Sequence, residues 1–219
     1  MLIAVELISF FGNTKATAQT IVDYAFWGAP TSGQGVIGGT NDFFWNQIIP
    51  NGTTSGDVTT TGDSIGITFR DSSPLSFQGP ADAFVPLMTH YLLTGSVATE
   101  TLNNVPAGTY NLYLYGQNGT YNDRGALFTL DATLGGASLE VTNRNGNGAS
   151  FIYGANYVVF TNITLTSQGS ISFTYSGGPG IGGEGDFNGL QLQTAPEPAT
   201  LALAGLGGLG LLWQFRRRK

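Results

Sequence analysis

Between Gln19 and Gln193 apolar residues recur at every second position in short runs, and glycine or asparagine ends most runs before a helical period can develop. Thr109 to Tyr115, TYNLYLY, sets Tyr110, Leu112 and Leu114 on one face and Tyr113 and Tyr115 on the other, the period of a pleated strand. Ser64 to Phe69 alternates in the same way, and further strands are expected at Val97 to Leu102, Ala126 to Leu130, Ser138 to Thr142, Tyr157 to Leu165, Ser170 to Tyr175 and Phe187 to Gln193. One short helix is expected at Ala81 to Leu93. Strands spaced by roughly 8 to 20 residues, with no long helices between them, argue for an antiparallel sandwich over βαβ units. The fold class expected is therefore all-β, an antiparallel β-sandwich.

Chemistry is limited first by what is missing. The 219 residues contain no Cys, which removes thiolate nucleophiles, disulfides and Cys-ligated metal sites, and the single histidine, His90, removes multi-histidine metal sites. Charged residues make up only 10% of the chain, while apolar content is too high for a disordered one. Four of the eight basic residues are Arg216, Arg217, Arg218 and Lys219. Between Gln19 and Ala195 only Arg70, Arg124 and Arg144 remain, against twelve acids, so this stretch carries a net charge of −9. Such a surface repels phosphate backbones, and no nucleic-acid partner is expected.

From Ala199 to Phe215 the chain reads ATLALAGLGGLGLLWQF, without an ionisable residue, before the four basic residues. As a helix it rises about 25 Å, enough to span a hydrocarbon core of about 30 Å once the flanking arginines snorkel. The basic cluster would then stay cytoplasmic and the body would lie on the far side of the membrane. Just before the span stands Pro196-Glu197-Pro198. Two prolines disfavour helix and hold this segment extended, accessible to a processing enzyme. A Pro-Glu-Pro triplet, a short Gly/Leu-rich span and a terminal arginine cluster together resemble the PEP-CTERM protein-sorting signal of Gram-negative bacteria. The resemblance implies recognition by an exosortase, a membrane-embedded transpeptidase-like enzyme, and association with exopolysaccharide. It covers Pro196 to Lys219 and specifies a route, not an activity.

Export also calls for an N-terminal signal. Met1 to Phe11 is mostly apolar, and Ala16-Thr17-Ala18 supplies a small-x-small site that places cleavage before Gln19. Glu6 interrupts the apolar run and no basic residue precedes it, which fits a translation start upstream of Met1; the alternative is that Leu2 to Phe11 opens the folded domain. The expected organisation is a signal peptide at 1–18, a β-sandwich domain at 19–193, a linker with the Pro-Glu-Pro motif at 194–198, a transmembrane helix at 199–215 and a basic tail at 216–219.

Within the body, Val105 to Gly116, a Pro-x-Gly turn feeding a strand, resembles a hairpin of galactose-binding-like jelly rolls, and Phe187 to Leu192 resembles their closing strand. The resemblance implies that the antiparallel β-sandwich is of jelly-roll type, and neither match carries a binding residue with it.

Candidate chemistry is sparse. A serine triad would need His90, yet no Gly-x-Ser-x-Gly elbow is present. Gly180 to Gly185 and Gly205 to Gly210 both satisfy Gly-x-Gly-x-x-Gly, but the first leads into a strand and the second lies in the apolar span, so neither offers a phosphate a helix N-terminus. Twelve acids leave a hydrolytic carboxylate pair open as the weakest alternative. Glu184 and Asp186 are candidate oxygen ligands for a structural Ca²⁺, with no other cofactor expected. Trp27, Trp45, Tyr121 and Tyr153 lie near Gly/Asn-rich segments, and Trp45 and Tyr121 are the rings singled out for stacking on sugars. The expectation is a non-enzymatic exported protein of the cell surface or extracellular matrix, structural or adhesive, with a carbohydrate-binding module holding a defined sugar site as the alternative.

Overall fold

The computed structural model describes residues 21–26, 35–37, 44–48, 50–72, 77–78, 86–118, 124–142, 150–178 and 183–195. The expected signal with Ala16 and Ala18, the motif Pro196, Glu197 and Pro198, the apolar span, the cluster Arg216, Arg217, Arg218 and Lys219, and the ring of Tyr121 all lie outside these residues. No helix among the described residues is long and apolar enough to cross a membrane.

The strands in chain order are β1 (Ile21–Phe26), β2 (Asn46–Ile48), β3 (Thr68–Asp71), β4 (Phe77–Gln78), β5 (His90–Thr94), β6 (Ala98–Val105) and β7 (Gly108–Tyr115). They continue with β8 (Ala126–Leu130), β9 (Ser138–Val141), β10 (Tyr157–Leu165), β11 (Gly169–Ser176), β12 (Gly185–Phe187) and β13 (Gly189–Thr194). One five-stranded sheet has the order β10-β7-β13-β1-β2 and the other β3-β6-β11-β8-β9, with a small sheet β12-β5-β4 beside them. Pairing is antiparallel except for β1 with β2.

Alternation builds the sandwich. Tyr24, Leu112, Leu114, Leu190 and Leu192 from the first sheet join Phe69, Leu102, Phe128, Ile171 and Phe173 from the second in one buried cluster. Phe187 stands at its middle, edge-on to Phe26, Phe128 and Phe173 at centroid distances of 5.3, 5.9 and 5.5 Å, and tilted against Tyr175 at 5.4 Å. Edge-to-face pairs place positive ring edges on negative ring faces, so this cluster gains geometric definition beyond its buried area. Strand β13 passes so close to β1 that a Cβ on Gly189 would stand 2.3 Å from the Tyr24 carbonyl oxygen.

Three local expectations are corrected. Pro106 and Ala107 do not close a hairpin: β6 pairs with β3 and β11, whereas β7 pairs with β10 and β13, so the turn carries the chain from one sheet to the other. The Tyr110 hydroxyl donates to the Pro106 carbonyl at 2.9 Å and fastens this corner. The segment Phe187 to Gln193 is likewise two strands, broken at Asn188. Asn188 Nδ2 donates to the carbonyls of Met88 and His90, while its Oδ1 accepts from the Gln117 amide, so the break leaves the buried amide bonded on both sides. The helix expected at Ala81 to Leu93 is replaced, among the described residues, by a 3₁₀ turn at Pro86–Thr89 and strand β5. Leu87, Met88, Tyr91 and Leu92 have helical spacing, but cross-strand pairing with β12 and β4 wins over local periodicity.

Candidate functional site

The outer face of the first sheet is not a plain solvated surface. The residues that alternate away from the core place Tyr157 opposite Tyr115 and Val159 opposite Tyr113 on β10 and β7. Across β7 and β13 they place Tyr113 opposite Gln191 and Asn111 opposite Gln193, and β1 adds Asp23 opposite Gln191. Part of this face is closed by a second apolar cluster of Ala25, Trp45, Leu87, Met88 and Tyr115, against which Tyr113, Phe151 and Tyr157 pack half-buried. Tyr153 is 55% exposed and stands edge-on to Tyr157 at 5.7 Å. Burial, with Tyr157 nearby, raises the Tyr113 phenol above its ordinary pKa, so it remains a hydroxyl donor. The open part of the face is thus a run of rings, Tyr113 and Tyr157 on strands and Tyr153 in the segment leading into β10, bordered by the amides of Asn111 and Gln193.

Gln191 organises the closed part. It is fully buried, and its Nε2 donates to Asp23 Oδ1 at 3.0 Å and to the Ile37 carbonyl at 3.0 Å. Its Oε1 accepts from the Ile37 amide at 3.3 Å and from the Tyr115 hydroxyl. The side-chain amide therefore pairs with Ile37 as a neighbouring strand's peptide would, and residues 35–37 lie across the sheet without belonging to it. The Tyr115 hydroxyl also accepts from the Val36 amide at 2.9 Å.

The acids fall into separate places. Asp71 and Glu100 are opposite each other on β3 and β6, both buried, on the core face of the second sheet. Burial pushes the Glu100 carboxyl up to about 11, with its hydrogen bond and charge interaction with Asp71 adding to the rise. The protonated Glu100 therefore donates to the Asp71 carboxylate, which also accepts from the Asn51 amide at 2.6 Å. Such a pair holds strands and a turn together; no sugar reaches it. Asp57 accepts from the hydroxyls of Tyr24, at 2.8 Å, and Thr54. Burial, with Asp57 beside it, pushes the Tyr24 phenol far above its ordinary range.

At the small sheet, Arg124 and Glu184 form an ion pair at 2.5 Å, both sides partly exposed. Beneath it Asp186 is fully buried, and burial pushes its carboxyl up to about 7 despite the opposing pull of Asn118 and Arg124. Asn118 Nδ2 donates to the Tyr91 hydroxyl at 3.1 Å, and burial raises Tyr91 to about 12. Glu184 and Asp186, the expected cation ligands, thus share an arginine. Among the described residues no group of three His, Asp or Glu side chains is gathered as a metal site would require.

The candidates named from sequence separate accordingly. Trp45 is only 7% exposed and belongs to the second apolar cluster, so it cannot stack on a sugar. Its place beside a glycine-rich segment was misleading because the outer face of the sheet has a core of its own. Tyr153 is exposed as a stacking ring requires. His90 opens β5 half-buried, and burial lowers its pKa. The rings of Tyr113 and Tyr157 and the hub Gln191 were missed, although the alternation of β7 already turned Tyr113 away from the core.

A family model of the PEP-CTERM protein-sorting motif matches residues 194–218. The chain therefore carries an exosortase sorting signal, which marks it for export and sorting to the cell envelope of a Gram-negative bacterium. No curated protein matches the chain. Among solved structures, the complex of the plant peptide RALF23 with FER and LLG2 aligns at a TM-score of 0.46 and 12% identity, covering 81% of this chain and 40% of that one. The plant receptor-like kinase FER aligns at 0.44 and 14%, covering 81% and 42%. The chain thus spans about two fifths of these plant chains. TmCBM61 in complex with β-1,4-galactotriose aligns at 0.29 and 13%, covering 59% and 84%.

Proposed function

We propose that this exported protein is a non-catalytic adhesive component of the cell surface or extracellular matrix, binding polysaccharide through the outer face of its first sheet. In this reading an N-terminal signal starts export, Ala199 to Phe215 holds the chain in the inner membrane, and an exosortase processes the tail at Pro196-Glu197-Pro198. The observation that carries the binding role is the exposed ring of Tyr153, in the segment leading into β10, edge-on to Tyr157, with half-buried Tyr157 and Tyr113 and the amide of Asn111 on the outer face of the first sheet. A tyrosine face covers the C–H face of a pyranose, while phenol and amide groups both donate to and accept from its hydroxyls. Tyr113 and Tyr157, held on strands, lose little freedom on binding, which limits the entropic cost. A binder is favoured over a hydrolase because, among the described residues, Asp71 and Glu100, opposite each other on β3 and β6, point into the inter-sheet core.

The test is expression in a Gram-negative host with and without an exosortase, followed by intact mass, fractionation and co-sedimentation with insoluble polysaccharide. Loss of the tail near Pro196 only with the enzyme, together with co-sedimentation that Tyr153→Ala weakens, is the expected result. An uncleaved chain in both hosts overturns the processing step, and co-sedimentation indifferent to Tyr153→Ala and Tyr113→Ala overturns the binding face.

A further inference from the structure

The polymer's charge class follows from what this face lacks. On the outer face of the first sheet the charged side chain among the described residues is Asp23, which accepts from Gln191. Arg70 is exposed on the opposite sheet, at an outward position of β3, and Arg124 is committed to Glu184 at 2.5 Å. Arg144, the remaining arginine between Gln19 and Ala195, lies outside the described residues, and all three arginines are already counted in the net −9 of that stretch.

We infer that this face takes an uncharged polysaccharide and rejects polyuronate or sulfated polymers, an assignment that rests on the binding role proposed above. A polyanion is held by guanidinium and ammonium groups, which supply charge-assisted hydrogen bonds and offset its field. Here Tyr153 offers an exposed ring, half-buried Tyr157 and Tyr113 extend the aromatic surface, and Asn111, whose Oδ1 accepts from the Asn162 amide at 3.2 Å, offers neutral N–H donors. The acidic body repels a polyanion before contact, a term that grows as salt is removed. Stacking and neutral hydrogen bonds carry no such salt dependence.

The experiment is affinity electrophoresis of the full chain in a neutral detergent, through native gels cast with galactan, mixed-linkage β-glucan, galactomannan or alginate, at low and high salt. Retardation by at least one neutral polymer, unchanged by salt, weakened about tenfold by Tyr153→Ala, and absent in alginate, is the expected result. Retardation in alginate that salt abolishes overturns the inference while leaving a glycan-binding protein in place. Migration unaffected in every gel overturns the binding role itself.

Discussion

Gln191 and Asp23 face each other across β13 and β1, and the Gln191 amide donates to Asp23 Oδ1 at 3.0 Å while also pairing with both backbone groups of Ile37. One neutral side chain thus orients a fully buried carboxylate and holds residues 35–37 against the sheet. Gln191→Ala removes these bonds at once, along with that from the Tyr115 hydroxyl. With a buried polar group costing about 1–3 kcal/mol when it loses its partner, the expected loss is about 3 kcal/mol. A fall in Tm on the order of 10 °C checks it, and an unchanged Tm would show that water replaces the amide without cost.

Glu100 makes stability fall with rising pH. Its carboxyl binds a proton more tightly folded, at about 11, than unfolded, near 4.5, so its contribution is fully present below about pH 4.5 and is lost as pH climbs toward 11. The limiting slope is about 1.4 kcal/mol per pH unit. Glu100→Gln keeps a donor for Asp71 and removes the proton, so Tm measured from pH 5 to pH 9 should flatten and rise at the alkaline end relative to the parent.

Asp186 adds a narrower window of the same sign. Its stabilising protonation is present below its ordinary 3.8 and is lost as pH rises through about 7. Asp186→Asn is expected to be more stable than the parent above pH 7, and chemical denaturation at pH 6 and pH 8 should show the difference growing with pH.

Phe187 contacts rings from both sheets, so Phe187→Ala opens a cavity where they meet. A cost of about 3–5 kcal/mol is expected, and urea unfolding with an unchanged m-value measures it.

Tyr153 and Trp45 should separate binding from folding. Tyr153→Ala is expected to weaken polysaccharide binding about tenfold with Tm nearly unchanged, because the ring is exposed; Trp45→Ala is expected to lower Tm by several degrees, because its ring is buried. The reverse pattern would place the sugar against the second cluster.

Alternation made β7, β8 and β10 legible almost to the residue, since an antiparallel strand buried on one face writes its period into the chain. It did not show which sheet each strand joins. Pro106 marks a turn in either case, and only the partners of β6 and β7 make it a corner between sheets. The tail motif at 194–218 was legible for a different reason: a processing enzyme reads it as a linear segment, so its information is local.

Sequence alone therefore determined the β period, the absence of thiol and multi-histidine chemistry, the acidic body and the sorting signal, because each is a property of neighbouring residues or of composition. Tertiary structure alone decided that Trp45 is core and Tyr153 surface, that Gln191 reaches Ile37, and that Glu100 meets Asp71 in the interior. Those facts depend on burial and on pairs distant along the chain, and a residue's own type does not tell which neighbour removes its water.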